Sequence, residues 1–422
     1  MLVLNKKMKK LQTLVYCFGS ILILIFASNV SLSQALWTNF TPSNSGLIST
    51  VRALETDYLN RVWIGYEWSG SGLSVFNGIT WTLIDTSNGL SDNRVHVIFE
   101  DSENIIWVGT QNGLCRFDGN NWTTITDEDG LVYNYVISIH EDTDNNLWFG
   151  TVNGLSRYDG INWDSFTVNN GLASNYVYTI SQDIYGNMWF AYGLDAVGAT
   201  KFDGTDWVTY TINDGLISNQ VNTILCDHLG SVWFGCYGFD GGITQFTGSS
   251  WISYPQGSGP ACTNVWTSYE DSNNNLWFGT SCHGGTSMYN SSGWYVYDTS
   301  NSNIISNNIL EIKEDNFGNI WLGGYDGLSK YSNPANIFEN FKTTNLVSIY
   351  PNPANSFITV HSFQEEILNI ELLNITGDDV LKVSRSGKNV SLSVESFTSG
   401  IYFMKIFTVS GKIIIEKFII TE

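Results

Sequence analysis

Charged side chains are scarce in this chain, and basic ones are scarcer still. Only 14% of the 422 residues are charged, and 19 bases against 40 acids give a formal net charge of −21. No run of Lys or Arg follows the first ten residues, so the sequence offers no basic patch for nucleic acid or an anionic membrane. Hydrophobic residues make up 43% and aromatic residues 14%, which is enough for a sizeable core. The balance fits an extracellular protein that does not bind nucleic acid.

Cysteine is also infrequent, with six copies, of which Cys17 lies in an N-terminal apolar run. The other five are Cys115, Cys226, Cys236, Cys262 and Cys282. An exported protein can oxidise such thiols, but an odd number leaves at least one free. Their spacing matches no zinc ligand set.

The N-terminus has the pattern of a signal peptide. Lys6, Lys7, Lys9 and Lys10 precede an apolar run, and small and polar residues follow it up to Ala35. A retained membrane anchor is the alternative, but the run is barely long enough and no charged stop-transfer flank follows. Residues 1–35 are therefore predicted to direct export to the periplasm and to be removed, leaving no transmembrane helix in the mature chain.

The dominant feature of the sequence is a repeat of about 44 residues. A Trp-x-Gly element, whose fourth copy is Trp-Phe-Ala, recurs at Trp63, Trp107, Trp148, Trp189, Trp233, Trp277 and Trp321. A second tryptophan recurs at Trp37, Trp81, Trp122, Trp163, Trp207, Trp251 and Trp294. Each unit holds four short stretches with strand-like alternation, separated by Asp, Asn and Gly turn residues. Four antiparallel strands per unit predict a β-propeller blade.

The ends of the repeat favour a closed ring over an open solenoid. The last unit stops at Gly327–Tyr331 without its Trp-containing strand, whereas Trp37–Phe40 is a spare strand of that type. A ring closed by the N-terminal strand accounts for both and removes an exposed edge. The predicted fold is all-β, a seven-bladed propeller over residues 36–333.

Two strings in each unit carry a resemblance to a known family. Patterns of the form G-L-x-x-Y-D-G and I-x-E-D-x-x-x-N-x-W-x-G-T run through residues 37–331, and they resemble the two-component regulator propeller repeat. In that family such propellers often form periplasmic sensor halves of hybrid regulators, with oligosaccharides among the ligands. No kinase, DNA-binding segment or transmembrane helix follows the repeats, so signalling within the same chain is not expected.

Residues 334–346 are expected to form a linker, and residues 347–422 a small β-sandwich. Six alternating segments predict strands at Val347–Tyr350, Phe357–His361, Ile367–Leu373, Val390–Val394, Ile401–Thr408 and Lys412–Ile420. The domain resembles the type IX secretion system C-terminal sorting domain of Bacteroidetes through Tyr350, Pro351, Asn352, Pro353, Gly377, Gly400 and Tyr402. The resemblance implies contact with the type IX secretion machinery and a secreted or outer-surface location. An ordinary adhesive sandwich is the alternative.

An aspartate precedes every periodic tryptophan by six residues, at Asp57, Asp101, Asp142, Asp183, Asp227, Asp271 and Asp315. The spacing differs from that of the sialidase Asp box, and a residue present in every blade is more simply a turn former. The stretch Asp142–Asn146 lacks the final bidentate Glu of a calcium loop. Calcium therefore has no support, and no metal or other cofactor is predicted.

The aligned blades bring no catalytic set together. His140 and His228 fall on the face opposite His283, and His361 belongs to the second domain. His96 shares a face with His283 but lies in blade 2, whereas His283 lies in blade 6. We therefore lean against an enzyme. A propeller lyase or hydrolase acting on extracellular glycans stays an alternative, since streptogramin lyases are similar in shape.

The four strands of a blade are called A to D in chain order, with A as the first strand, next to the channel. Binding residues are expected where the repeat is broken, on the face that carries the D–A and B–C loops. The residue before the first-strand Val of each blade (Ile309 in blade 7) is Thr50, Arg94, Tyr135, Tyr176, Gln220, Asn264 or Asn308. The residue after it is Arg52, His96, Ile137, Tyr178, Asn222, Trp266 or Leu310. One of these two sets faces the channel or the neighbouring blade, and the sequence leaves open which.

Long B–C loops add aromatic side chains to this face, namely Tyr66, Trp68, Tyr192, Tyr237 and Phe239, together with His283. Aromatic planes beside Arg, Asn and Gln suit sugar rings and their hydroxyls. The alternative is that Trp266 packs between blades and Trp68 caps a loop. Cys262 and Cys282 lie in loops of the same face and are candidates for a disulfide, with Cys236 as the other partner to consider.

These features predict a secreted or cell-surface propeller that binds a polysaccharide or a protein partner through one face. The expected contacts are Arg52, Trp68, Arg94, Tyr178 and Trp266. The alternatives are a glycan-cleaving propeller enzyme and a structural or adhesive surface protein.

Overall fold

The computed structural model describes residues 37–67, 70–332, 347–362, 366–374, 379–384, 386–409 and 413–421. Thr38–Ser332 form one compact unit, and the described residues after Asn333 belong to a second. The predicted signal peptide and linker lie outside the described residues. No helix in the described part of the chain combines the length and apolar character that crossing a membrane requires.

The first unit consists of seven four-stranded antiparallel sheets, or blades, six of which are formed by consecutive strands. Blade 1 has β2 (Ala53–Thr56), β3 (Val62–Gly65), β4 (Leu73–Phe76) and β5 (Trp81–Ile84); blade 2 has β6 (Val95–Glu100), β7 (Ile106–Thr110), β8 (Gly113–Phe117) and β9 (Trp122–Ile125). Blade 3 has β10 (Val136–Glu141), β11 (Leu147–Thr151), β12 (Gly154–Tyr158) and β13 (Trp163–Phe166); blade 4 has β14 (Thr179–Gln182), β15 (Met188–Ala191), β16 (Ala199–Phe202) and β17 (Trp207–Tyr210). Blade 5 has β18 (Val221–Cys226), β19 (Val232–Cys236), β20 (Gly242–Phe246) and β21 (Trp251–Pro255); blade 6 has β22 (Val265–Glu270), β23 (Leu276–Thr280), β24 (Thr286–Asn290) and β25 (Gly293–Tyr297). Short 3₁₀ turns occupy Asp127–Asp129 and Gly193–Asp195.

Blade 7 closes the ring with a strand from the other end of the propeller. It contains β26 (Ile309–Glu314), β27 (Ile320–Gly324) and β28 (Gly327–Tyr331), and its fourth strand is β1 (Trp37–Phe40). The innermost strand of each blade contacts that of the next, and β26 contacts β2. The predicted closed seven-bladed propeller is confirmed.

The recurring aspartate ties each blade together. One carboxylate oxygen accepts the indole N–H of the tryptophan six residues on, at 2.7–2.9 Å in all seven blades. The other oxygen accepts backbone N–H groups of the intervening turn, as Asp271 does from Asn273 at 3.0 Å and Asn275 at 2.8 Å. The predicted turn-forming role of the aspartate is confirmed. The same side chain also satisfies the indole N–H of a buried tryptophan.

The glutamate before this aspartate joins neighbouring blades. Glu314 of blade 7 accepts hydrogen bonds from the backbone N–H and hydroxyl of Ser272 in blade 6, at 2.7 and 2.6 Å. Glu141 of blade 3 binds Ser102 of blade 2 in the same way, at 2.7 Å for both bonds. In these two blades the Glu therefore contacts the preceding blade, whereas the Asp stabilises its own.

The second unit contains two sheets over a shared core. One sheet has the order β29 (Val347–Tyr350), β30 (Phe357–Ser362), β33 (Asn389–Ser393), and the other β32 (Asp379–Val383), β31 (Ile367–Leu373), β34 (Gly400–Thr408), β35 (Ile413–Ile420). Buried side chains from both sheets form one cluster. The predicted small β domain is confirmed, and the six predicted strands end within one residue of those observed. The strand β32 was missing from the prediction.

The motif residues of this unit have structural partners. The Asn352 side chain accepts the backbone N–H of Ile419 at 2.9 Å and so fixes the segment after β29 to the last strand. The Tyr402 hydroxyl donates to the carbonyl of Thr398 at 2.9 Å, just before Gly400 begins β34. Tyr350, Pro351 and Pro353 flank Asn352 in the sequence, and Gly377 lies outside the described residues.

Candidate functional site

A β-bulge near the start of the innermost strand redirects one side chain in five of the seven blades. In five blades the pairing with the second strand shifts after the first-strand Val or Ile, and such a bulge redirects the extra residue. The bulge residues are His96, Ile137, Asn222, Trp266 and Leu310. Arg52 and Tyr178 hold the same place in blades 1 and 4, immediately before β2 and β14. We call these seven residues the channel mouth.

Contacts across the ring show that this set faces the channel. An Arg52 guanidinium N–H of blade 1 donates to the Tyr178 hydroxyl of blade 4 at 3.2 Å. The Tyr178 ring packs edge-on against Trp266 of blade 6, with centroids 6.0 Å apart. Because blades 1, 4 and 6 are not neighbours, these side chains can meet only across the axis. For Arg52, Tyr178 and Trp266, the choice that the sequence left open falls on the residue after the first-strand Val.

The predicted residues Arg52 and His96 are joined by Glu67, which sequence reasoning missed. Arg52 Nε donates to Glu67 at 2.9 Å, and His96 Nδ1 lies 3.5 Å from the same carboxylate. Burial opposes the charge of Arg52, but Tyr178, Glu67 and Glu311 outweigh it and raise the pKa of Arg52. Burial, with Arg52 and Arg94 nearby, lowers the pKa of His96 to about 3, so that His96 is neutral. The only sequence signal for Glu67 is its place in a long B–C loop.

The residues before the first-strand Val or Ile form a rim around the channel mouth. Exposed Arg94 donates to the Gln111 side chain at 2.5 Å. The Tyr135 ring covers His96 at 4.5 Å, and the Tyr176 ring stacks on Tyr178 at 6.2 Å with an interplanar angle of 11°. The rim thus presents one exposed arginine and two partly exposed tyrosines beside the channel mouth.

Two predicted aromatic residues belong to the blade core instead. Tyr66 and Tyr192 are fully buried. The Tyr66 hydroxyl bonds Ser74 at 2.9 Å, and the Tyr192 hydroxyl bonds Thr200 at 2.7 Å. Their rings fill space inside the blades, so neither side chain is available to a ligand. The sequence places both correctly in long B–C loops but does not show which way the rings turn.

The remaining predicted residues have varied positions. Tyr237 is half-buried and meets Trp266 edge-on at 6.4 Å. His283 is exposed, and Asn308 accepts its backbone N–H at 3.2 Å. Trp68 lies outside the described residues. Among the described residues, no three His, Cys, Asp or Glu side chains cluster closely enough to hold a metal ion.

Cys262 and Cys282 are paired in the structure, with their Cα atoms 6.2 Å apart. Such a bridge links the D–A and B–C loops of blade 6 beside Trp266. Cys236, the other partner considered, is buried, and its thiol donates weakly to the carbonyl of Ser218 at 3.6 Å. Cys115 and Cys226 are free as well.

Charged groups continue along the channel below its mouth. Lys313 of blade 7 donates to Glu55 of blade 1 at 2.8 Å. Burial raises the pKa of Glu311 to about 7, although Lys313 and Arg52 oppose the shift. All three lie on first strands, where most other blades carry small or apolar residues. Those exceptions to the repeat are the sequence signal that could have found them.

Comparison with known families accounts for both units. The two-component regulator propeller model matches residues 89–112, 130–153, 171–193, 215–238, 259–282 and 303–326. The model for the secretion system C-terminal sorting domain matches residues 348–421. No curated protein matches the chain by sequence.

Solved structures share the fold at low sequence identity. The extracellular domain assigned to the hybrid two-component system BT3049 of B. thetaiotaomicron has a TM-score of 0.62 and 20% identity, covering 91% of this chain and 57% of that one. PorZ, a surface component of the type IX secretion system of Porphyromonas gingivalis, has a TM-score of 0.55 and 17% identity, covering 90% and 60%. Virginiamycin B lyase from Staphylococcus aureus has a TM-score of 0.56 and 15% identity, covering 70% and 99%.

The chain thus spans less than two thirds of the length of the first two structures. At these identities the likeness concerns the fold alone. The family matches carry more information than the fold alone. The propeller model matches only residues of the first unit, and the sorting-domain model matches only residues of the second. The sorting domain implies export to the outer surface. The chain therefore contains two-component regulator propeller repeats together with a secretion system C-terminal sorting domain.

Proposed function

We propose that this protein is a secreted or cell-surface binding propeller that captures a polysaccharide through the channel mouth and its rim. The observation that carries the proposal is the meeting of Arg52, Tyr178 and Trp266 across the axis. Residues that only build blades repeat from one unit to the next. These three differ from blade to blade, and they converge on one place.

The surroundings of this place support a sugar ligand. Partly exposed Tyr135 and Tyr176 offer ring faces, and exposed Arg94 offers hydrogen-bond donors. Sugars bind where an apolar plane packs on the ring and polar groups meet the hydroxyls. The net charge of −21 disfavours polyanionic partners in general. A protein partner is the other class of ligand predicted from the sequence. The following experiment distinguishes a glycan from such a partner.

A glycan array probed with the purified protein tests the proposal. Tyr176→Ala removes a ring from the rim, so we expect binding to any captured glycan to weaken at least about tenfold. Tyr185→Ala is the matched control, because Tyr185 is a 76% exposed tyrosine in the A–B turn of the same blade and so on the opposite face. Binding by the control must equal that of the wild type.

The proposal fails if no glycan binds, or if Tyr176→Ala and Tyr185→Ala bind equally well. Loss of binding only in the control would move the site to the opposite face. Release of shorter products from a bound polysaccharide would favour the lyase or hydrolase alternative, and it is measured by chromatography of the supernatant.

A further inference from the structure

Three polar atoms at the channel mouth are buried without a protein partner. No protein atom in the described part of the chain hydrogen-bonds to His96 Nε2, Asn222 Nδ2 or Trp266 Nε1. The His96 and Asn222 residues are each only 3% exposed. A buried polar group without a partner destabilises the fold, so each such group calls for an explanation. All three are bulge residues of the channel mouth, so we look for one explanation that covers all of them.

The donor or acceptor character of the three atoms limits which ligand groups can hydrogen-bond to them. Asn222 Nδ2 and Trp266 Nε1 are N–H donors. His96 is neutral and its Nδ1 lies 3.5 Å from the Glu67 carboxylate, which favours a proton on Nδ1 and leaves Nε2 as an acceptor. Two donors and one acceptor suit hydroxyl groups, which both accept and donate. A carboxylate only accepts, and it would lie next to Glu67.

The shape of the channel mouth narrows the ligand further. Seven blades surround it, and the Arg52–Tyr178 hydrogen bond of 3.2 Å crosses it. A polymer lying across the ring would contact the rim but not the three buried atoms. Because the three atoms are buried and this bond crosses the mouth, we expect the end of a chain to reach them, with its bonds replacing the one between Arg52 and Tyr178.

We propose that the channel mouth receives the terminal residue of a neutral glycan, whose hydroxyls bond Asn222, Trp266 and His96. This inference rests on the proposed function and deepens it. The rim holds the following sugars of the chain, while the three buried polar atoms select for an uncharged end.

Calorimetric titration with defined oligosaccharides tests the proposal. The probes are malto-, cello-, laminari- and mannohexaose, hexagalacturonate, and α-cyclodextrin, which has the linkage and size of maltohexaose but no ends. We expect a neutral hexaose to bind and hexagalacturonate to bind at least about tenfold more weakly. If maltohexaose is the one that binds, α-cyclodextrin should bind at least about tenfold more weakly as well.

Two variants remove the donors: Asn222→Leu keeps a branched side chain, and Trp266→Phe keeps an aromatic ring. Asn222→Leu and Trp266→Phe should each weaken binding about tenfold or more. In the free protein, Asn222→Leu should also raise the melting temperature, because an apolar side chain replaces a buried amide nitrogen that lacks a partner. Tyr269→Phe is the matched control, since Tyr269 lies on the same strand as Trp266 but toward the other end of the channel. It should bind as the wild type does.

The outcomes separate this inference from the proposed function. Binding to a neutral glycan that survives both Asn222→Leu and Trp266→Phe overturns the inference and leaves the binding propeller standing. Equal or tighter binding of hexagalacturonate also overturns it. Failure of every glycan on the array to bind overturns both.

Discussion

Individual charges inside the channel make the stability of the propeller depend on pH. Burial raises the pKa of Glu311 to about 7, whereas an unfolded glutamate has a pKa of about 4.3. Between these values the folded protein holds a proton that the unfolded chain has lost. The free energy of unfolding therefore falls as pH rises through this interval. Neutral His96 has the opposite effect, because its lowered pKa makes the fold lose stability as pH falls below the ordinary pKa of histidine.

Glu311→Gln isolates the acidic contribution. The amide cannot ionise, so the variant should match the wild type at about pH 4 and exceed it in melting temperature by a few degrees at about pH 8. Differential scanning calorimetry at both pH values measures this. Taking the difference between the two proteins at each pH cancels the titration of His96.

Glu103→Gln serves as the control, because Glu103 is exposed in an A–B turn. It should leave the melting temperature unchanged at both pH values. A difference between Glu311→Gln and the wild type that does not vary with pH would contradict the assignment of a raised pKa to Glu311.

The channel mouth shows what sequence reasoning can and cannot do for single side chains. The list of variable positions could be read from the repeat, and Arg52, Tyr178 and Trp266 were on it. Which of two adjacent positions faces the channel depends on a bulge, and a bulge interrupts the alternation on which sequence patterns rely. Glu67 could not be found because its partners come from different strands and meet only in the folded ring.

The closing strand β1 depends on packing as well as on backbone pairing. Phe40 lies between blades 7 and 1, with its ring centroid 5.6 Å from that of Trp321 and 5.4 Å from that of Phe76. Phe40→Ala would leave a gap at the point where the ring closes. Because Phe40 is only half-buried, we expect a loss in the free energy of unfolding of about 3 kcal/mol, at the lower end of the range for Phe→Ala, measured by chemical denaturation.

Phe239→Ala is the control for this substitution, because Phe239 is fully exposed in a B–C loop. Its effect should stay within about 0.5 kcal/mol. Equal stabilities of the two variants would show that the packing of Phe40 contributes little to ring closure and that backbone hydrogen bonds hold β1.

The bounds of strands are predicted best in the propeller, where the same sequence pattern recurs in every blade. In blade 3 the repeat pattern predicts strands at Val136–His140, Leu147–Gly150, Gly154–Tyr158 and Trp163–Thr167, and each observed end lies within one residue of the predicted one. The missed strand β32 covers Asp379–Val383 in the second unit. It is short, has a charged residue at its start and another before its end, and occurs once. A five-residue segment of this kind has too little alternation to stand out from a loop.

At the scale of the whole molecule, the two units have separate cores, and the family model for the sorting domain matches only the second. Each has its own core, and Thr38–Ser332 form a compact unit without the second domain. A chain that ends at Ser332 should therefore fold and keep the melting temperature of the propeller. Without the sorting domain that matches residues 348–421 it should lose export across the outer membrane. In a bacterium with a type IX system it is expected to accumulate in the periplasm, which cell fractionation and protease treatment of intact cells measure.

The full-length chain in the same cells is the control, and it should be accessible to the protease. A point variant tests whether export needs the folded sorting domain, because it leaves the length of the chain unchanged. Asn352→Ala removes the side chain that accepts the backbone N–H of Ile419 in the last strand, so it should reduce export without affecting the propeller. Surface exposure of the truncated chain at the wild-type level would show that the propeller itself carries the export signal, and the sorting domain would then need another role.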